Sequence, residues 1–175
     1  MIEIMVLFLL LKREYTMYGI RKYVGELFVP YSVPSFGALK PALVRLEKKG
    51  CISPSKMISD GGKVSIFYSI TDEGIKELKR LLLLPLSTNP LQFVSDAKIK
   101  LFCSSVLSSE EREQMYFDIK TCALLHKVNA EKLLEDEYTE KDFYQRIVLD
   151  NTICEYNNFV SMVEGLEKEN AGSRK

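Results

Sequence analysis

Residues 35–83 constrain the fold most strongly, because three periodicities follow one another along the chain. Apolar residues first recur with the i, i+3, i+4, i+7 spacing of a helix, which we predict to end at Gly50. After a turn at 59–62, residues 63–70 alternate between apolar and polar, which predicts a strand of a β-hairpin. Thr71 then has the character of an N-cap for another helix. The helical stripe consists of Leu39, Ala42, Leu43 and Leu46.

Two further helices are predicted before this segment. The first covers roughly residues 2–13 and is apolar nearly all round, which indicates burial on more than one side. The second follows Thr16, a suitable N-cap, and ends near Phe28. The order helix, helix, helix, hairpin, helix is that of a winged helix-turn-helix domain. We therefore predict a mainly α fold with a small β-hairpin wing.

The second half of the chain has the pattern of long helices. Residues 91–106 predict one helix, and Ser108 or Ser109 caps another that could continue to Tyr138. Thr139 is the predicted cap of the last helix, whose apolar residues step by 4, 3, 4 and 3. Such a seam is typical of pairing with another helix, so we expect it to form a dimer interface; packing within one subunit is the alternative. The seam consists of Leu149, Ile153, Tyr156, Val160 and Val163.

Charge divides the chain at the same place. The net charge is zero, but residues 1–85 carry 13 Lys and Arg against 8 Asp and Glu, whereas residues 86–175 carry 11 against 16. The basic half is the candidate for contact with a polyanion. We predict a winged helix-turn-helix DNA-binding domain at 1–85 and a helical dimerisation and regulatory domain at 86–175.

Motifs for catalysis, metals and membranes are missing from the sequence. Its four cysteines are widely spaced and His126 is the single histidine, so no zinc site, catalytic group or cofactor is predicted. Cys122 and His126 lie one helical turn apart, which helix packing explains better than a catalytic dyad. The apolar run at residues 2–11 is too short to span a bilayer and lacks the features of a signal peptide. We expect a cytoplasmic protein without membrane contact.

Three segments resemble PadR-family transcriptional regulators. Residues 35–50 (SFGALKPALVRLEKKG) resemble the recognition-helix segment of that family, and residues 67–74 (FYSITDEG) resemble its second wing strand and following helix start. Residues 17–19 (MYG) are similar to its second helix. The resemblance places Pro41 inside the recognition helix, whereas the general rule for proline favours the first helical position. Lys40 stands where the family usually has a tyrosine that contacts the DNA backbone.

The candidate DNA-contacting residues lie mainly opposite the Leu39 stripe. A step of about 100° per residue places them on the outer face of the helix, which would enter the major groove. Lysines there can reach phosphates or guanine edges, and a valine can touch a thymine methyl group. Tyrosines are included although aromatic residues in such positions are as often part of the core. The candidates are Tyr18, Ser35, Gly37, Lys40, Val44, Lys48, Lys63 and Tyr68.

These features favour a sequence-specific DNA-binding transcriptional regulator. As the resemblance implies, it would be a homodimeric repressor on a palindromic operator in double-stranded DNA, released by a small aromatic effector. The chain has no Trp, so an effector cannot stack between tryptophans. The alternative is a winged helix used for protein–protein interaction without specific DNA binding, which the zero net charge and Lys40 would suit.

Overall fold

The computed structural model describes residues 1–31, 34–58 and 64–172, without the side chains of Phe36 and Glu140. Its contacts divide the chain into two units. The first consists of residues 1–84 and 94–106, and the second of residues 85–93 and 107 onward.

The first unit is a bundle of helices with a three-stranded antiparallel sheet in the order β1-β3-β2. This mainly α fold with a β-hairpin is the predicted one. The helices are α1 (Ile2–Leu10), α2 (Met17–Phe28), α3 (Phe36–Lys48) and α4 (Asp72–Leu82), and most of α5 (Pro90–Phe102) also belongs here. The strands are β1 (Tyr15–Thr16), β2 (Ile52–Ile58) and β3 (Val64–Ile70).

Helix α1 forms the centre of this unit. Every residue from Ile4 to Leu10 is buried, and α1 packs on α2, α3 and α4. Burial on all sides explains why the helix has no polar face, and it confirms the prediction for this segment.

The helix termini follow the predicted capping residues. The Thr16 and Thr71 hydroxyls accept hydrogen bonds from the backbone N–H groups of Gly19 and Gly74, each at 3.1 Å. Helix α3 ends before Gly50, whose φ of 69° is in the left-handed region that glycine adopts without strain. Sequence periodicity and capping together therefore predict α2, α3 and α4 correctly.

Pro41 lies inside α3, as the family resemblance implied and contrary to the general preference for the first position. A proline there removes the backbone hydrogen bond to Gly37, four residues earlier. Both residues are exposed, so water can satisfy the Gly37 carbonyl.

Strand β1 is a feature that the sequence analysis missed. Its two residues pair with β3 in the register Tyr15↔Tyr68 and Thr16↔Phe67. Two residues are too few to produce a periodicity, so the strand forms only because β3 offers an edge. The pairing places the start of α2 beside the wing.

Residues 94–106 belong to the first unit, although the predicted domain boundary lay at residue 85. The Phe102 ring lies 5.2 Å from that of Phe28 and 6.0 Å from that of Phe8. The Ser95 hydroxyl donates a hydrogen bond of 2.9 Å to the Tyr31 carbonyl. These contacts join residues distant in sequence, which charge and turn composition cannot predict.

The second unit is an antiparallel helix pair with a short helix between. Helix α6 (Ser109–Leu134) begins with a full capping box between Ser108 and Glu111. Helix α6 ends four residues before Tyr138, the residue to which it was predicted to extend. The Asp136 side chain caps the next helix, α7 (Glu137–Lys141), and so separates it from α6. Thr139 is therefore inside α7 rather than at the start of the last helix. Helix α8 covers Phe143–Gly172.

The predicted seam of α8 packs within the chain. Tyr156 stacks on His126 of α6 with ring centroids 5.7 Å apart, and Val163 is fully buried between the two helices. Leu149, Ile153 and Val160 are half-buried. A partner helix for the seam therefore lies in the same chain, as in the alternative of packing within the subunit. Leu149, Ile153 and Val160 keep part of their surface exposed, and their role in a dimer interface stays a prediction.

Polar contacts join the first turns of α6 to the last turns of α8. Asn170 on α8 accepts hydrogen bonds from Arg112 and Ser109 at 2.7 and 3.1 Å, and its amide donates to the Ser109 carbonyl at 3.0 Å. Lys120 and Glu167 form an ion pair at 2.7 Å farther along. No helix in the described part of the chain is both long and apolar enough to span a membrane.

Candidate nucleic-acid interface

Helix α3 presents one buried and one exposed face. The four residues of the predicted stripe are almost completely buried: Leu39, Ala42, Leu43 and Leu46. Gly37, Lys40 and Val44 consequently point outward, with 43% of Val44 exposed. Lys48 is exposed at the end of the helix. The predicted outer face exists as a continuous surface.

Ion pairs hold α3 in position. Arg45 donates to Glu3 of α1 at 2.8 Å, and Lys49 donates to Glu77 of α4 at 2.9 Å. Glu77 also accepts a hydrogen bond of 2.6 Å from Arg80, and the hydrogen bonds from Arg80 and Lys49 lower its pKa to about 2. Two of the basic side chains near α3 therefore stabilise the fold, whereas Lys40 and Lys48 face solvent.

A groove of about 610 Å³ separates α3 from the wing. One wall is α3, and the other is β3 with the start of α2. A lysine and exposed apolar groups lie in its walls beside α3, and this combination makes the groove the candidate nucleic-acid interface. Its lining residues include Tyr18, Lys40, Val44, Glu47, Val64, Ile66 and Tyr68.

The two candidate tyrosines have different environments. Tyr18 is 69% exposed at the start of α2, where its hydroxyl can reach a ligand. Tyr68 is half-buried in β3, and burial raises the pKa of its phenol. The groove brings both to the same surface, but Tyr68 also packs as part of the sheet.

Of the remaining candidates, Ser35 caps α3. Its hydroxyl accepts a hydrogen bond from the Ala38 N–H at 3.3 Å, so it orients the helix terminus. Lys63 lies outside the described residues.

Exposed apolar residues of the wing are a feature that sequence reasoning missed. Alternation along a strand is typical of one buried face, yet Val64 and Ile66 are exposed, as are Met57 and Ile58 of β2. The outer half of the hairpin extends beyond the helices that could cover it. A signal was available, because Met57 and Ile58 are adjacent and side chains alternate in a strand. One of the two must therefore face away from the core.

The surroundings of Cys122, His126 and Cys103 bear on the thiol chemistry considered from the sequence. Within residues 1–31, 34–58 and 64–172, His, Cys, Asp and Glu form no cluster suited to a metal ion. Burial raises the pKa of Cys122 and lowers that of His126, which opposes formation of a thiolate and imidazolium pair. Burial also raises the pKa of Cys103 to about 12.

Comparisons with known proteins identify the family of the winged helix. Residues 6–80 match the transcriptional regulator PadR-like family. No curated protein matches the chain significantly. Solved structures do match, among them a transcriptional regulator from Clostridium thermocellum that is 30% identical. That match covers 45% of this chain and 76% of the other, with a TM-score of 0.41.

Two further matches cover nearly the whole chain. Bacillus subtilis PadR in complex with operator DNA is 21% identical over 96% of this chain and 98% of the other, with a TM-score of 0.44. The same protein in complex with p-coumaric acid is 22% identical over 97% and 94%, with a TM-score of 0.40. The matched family consists of transcriptional regulators and not of enzymes. Through the winged helix of residues 6–80, the chain belongs to the PadR-like family of transcriptional regulators.

Proposed function

We propose that the chain is a homodimeric repressor that binds a palindromic operator in double-stranded DNA. The observation that carries the proposal is the groove between α3 and the wing, where Lys40, Val44 and Tyr18 are exposed side by side. In this proposal α3 enters the major groove. Lys40 and Lys48 contact phosphates or guanine edges, and Val44 contacts a thymine methyl group. Family membership supports the same reading, because Bacillus subtilis PadR has been solved with operator DNA.

A dimer would use apolar residues that remain exposed in the second unit. On α6 such residues lie on the side opposite to α8, because the side that contains Met115, Ile119 and His126 is buried in the pair. A second copy covering this stripe would remove it from water, which is the main driving force of association. The exposed stripe consists of Phe117, Leu124, Leu125 and Val128.

The proposed signal is a small aromatic compound. Bacillus subtilis PadR has been solved with p-coumaric acid, and an aromatic acid is the corresponding class for this chain. Two recognition helices must lie about 34 Å apart to reach successive major grooves. An effector that favours another dimer geometry would shift the population away from the DNA-bound state. Such a repressor would act in the cytoplasm.

Selection from a pool of duplexes with a random core tests the proposal. The wild-type protein should enrich a sequence with two-fold symmetry, and anisotropy at moderate salt should show tighter binding to it than to random duplex. Addition of aromatic acids should then release the enriched duplex. Equal affinity for enriched and random DNA would contradict the proposal and favour the protein-interaction module.

A further inference from the structure

The outer half of the wing exposes an unusual amount of apolar surface. Ile58 is 73% and Val64 57% exposed, and Ile66 is also exposed. Single exposed apolar residues are ordinary on protein surfaces, but a contiguous group indicates a surface that another molecule covers.

The strand register places these side chains together. Ile58 pairs with Val64, and Lys56 pairs with Ile66. Directly paired residues of an antiparallel ladder project from the same face, so the three apolar side chains and Lys56 share one side of the wing. Met57 projects from the opposite side.

This side of the wing continues the recognition surface. Val64 and Ile66 line the groove whose other wall contains Lys40 and Val44 of α3. A molecule that covers the outer face of α3 would therefore also contact the apolar side of the wing. Continuity with α3 favours DNA as the occupant.

The dimensions of the wing suit the minor groove of DNA, which lies next to the major groove that α3 would occupy. Strands of seven residues extend roughly 23 Å, which allows the outer residues of β2 and β3 to reach past a phosphate backbone. The minor groove is only about 6 Å wide, which excludes a helix but admits small side chains. Proteins that bind there insert apolar residues between base pairs and thereby bend the duplex.

Charge agrees with this assignment. Lys56 is exposed beside the apolar group and is placed to contact a phosphate. Glu47, the carboxylate that lines the groove, belongs to α3 rather than to the wing. Beside α3 it can accept a hydrogen bond from cytosine in the major groove.

We infer that Ile58 and Val64 form an apolar wedge that enters the minor groove and bends the operator, while Lys56 holds the adjacent phosphate. The inference rests on the proposed function and adds a second reading element to it. It implies a preference for easily deformed base steps, such as TA, at the position of the wing.

Bend angle and affinity test the wedge together. The probe is the duplex that wild-type protein enriches from a random pool, carrying a fluorescent donor and acceptor at its ends. We expect the double variant Ile58→Ser, Val64→Ser to bind about tenfold more weakly and to bend the duplex less. Replacing the TA step under the wing by a stiffer step should weaken wild-type binding but leave binding of the double variant unchanged. Both side chains are exposed, so thermal unfolding should match wild type.

Met57→Ser is the matched control, because Met57 is an exposed apolar residue on the opposite side of the same strand. It should leave affinity and bend angle unchanged. Wild-type affinity and bend angle in the double variant would overturn the wedge and assign the apolar side to a protein partner, with the proposed function intact. Absence of any enriched duplex for wild type would instead remove the proposed function itself.

Discussion

At the scale of single residues, sequence patterns predict burial and capping better than they predict partners. Leu39 and Leu46 are buried as their spacing requires, and Thr16 and Thr71 cap helices as their position predicts. The ion pair of Lys49 with Glu77 joins residues 28 positions apart, and no local pattern contains that information. Lys48 and Lys49 are adjacent in sequence, yet Lys49 pairs with Glu77 of α4 whereas the Lys48 side chain faces solvent.

The difference between these lysines leads to a prediction for DNA binding. Replacing Lys48 by Ala should reduce the slope of log affinity against log salt by about one, because one phosphate contact is lost. Anisotropy titrations between about 50 and 200 mM salt measure the slope. Lys76→Ala is the control, since Lys76 is exposed on α4 and pairs with Glu73. Equal slopes for wild type and Lys48→Ala would show that Lys48 does not contact DNA.

Glu77 leads to a prediction about stability and pH. Its folded-state pKa of about 2 lies below the value of about 4.3 for an unfolded chain, so the group stabilises the fold above pH 4.3. That contribution is lost as the pH falls from 4.3 towards 2. At pH 7 we expect Glu77→Gln to lower the free energy of unfolding by about 1–2 kcal/mol, a value reduced by the solvent exposure of Lys49 and Arg80.

Urea unfolding at several pH values measures this effect. The difference between wild type and Glu77→Gln should shrink below pH 4.3. Glu73→Gln is the control, because Glu73 is largely exposed on the same helix and should change stability little. A difference that stays constant down to pH 2 would mean that the carboxylate charge is not the source of the stabilisation.

At the scale of elements, the winged helix could be predicted because each helix and the hairpin has its own local signal. Helix α5 was also predicted, at residues 91–106, but its place in the first unit and the existence of strand β1 could not be predicted. Residues 94–106 are joined to the first unit by contacts with distant residues such as Phe28, and β1 exists only as a partner of β3. The α8 seam was recognised as a seam, but periodicity carries no information on whether the partner helix lies in the same chain.

The junction of β3 with α4 depends on a glycine. A Cβ atom at Gly74 would collide with the Cys51 carbonyl oxygen and with Ile70, neither of which is a flexible side-chain end. We expect Gly74→Ala to destabilise the protein by about 2–3 kcal/mol, measured by denaturant unfolding. Gly25→Ala is the control, since no atom lies within 4 Å of its added Cβ and α2 should gain about 0.5–1 kcal/mol. Equal effects of the two substitutions would contradict this account.

The α6 and α8 pair contains a titratable group in an apolar setting. His126 is buried against Phe93 and Tyr156, no residue in the described part of the chain forms a hydrogen bond with its Nε2, and burial lowers its pKa. The unfolded chain therefore binds a proton near pH 6.5 that the folded chain does not bind. Wild-type stability should fall as the pH drops below 6.5.

The substitution His126→Phe keeps an aromatic ring in contact with Phe93 and Tyr156 but removes the titratable group. Thermal unfolding between pH 7.5 and 5.0, followed for both proteins, should show a decline for wild type that the variant lacks. This window lies above that of Glu77, so the two effects are separable. Parallel declines in wild type and variant would exclude His126 as their cause.

At the scale of the whole molecule, the zero net charge conceals a basic first half and an acidic second half. The family match covers residues 6–80, the part with DNA-binding signals. Helical patterns in the second half predict its helices, but association depends on which apolar residues remain exposed after α6 and α8 have paired. Only the folded structure separates the buried Ile119 from the exposed Leu124.

The exposed stripe of α6 leads to a prediction about assembly. If a second copy covers it, placing a charge at its centre buries an unpaired carboxylate in the interface, which is strongly unfavourable. Leu124→Glu should therefore shift the protein from dimer to monomer at micromolar concentration in sedimentation-velocity experiments. Asn157→Glu adds the same charge at an exposed position of α8 and should remain dimeric. Because a palindromic site needs two recognition helices at once, the Leu124→Glu monomer should also lose most of its preference for operator over random DNA. A Leu124→Glu protein that sediments as wild type would place the dimer contact elsewhere.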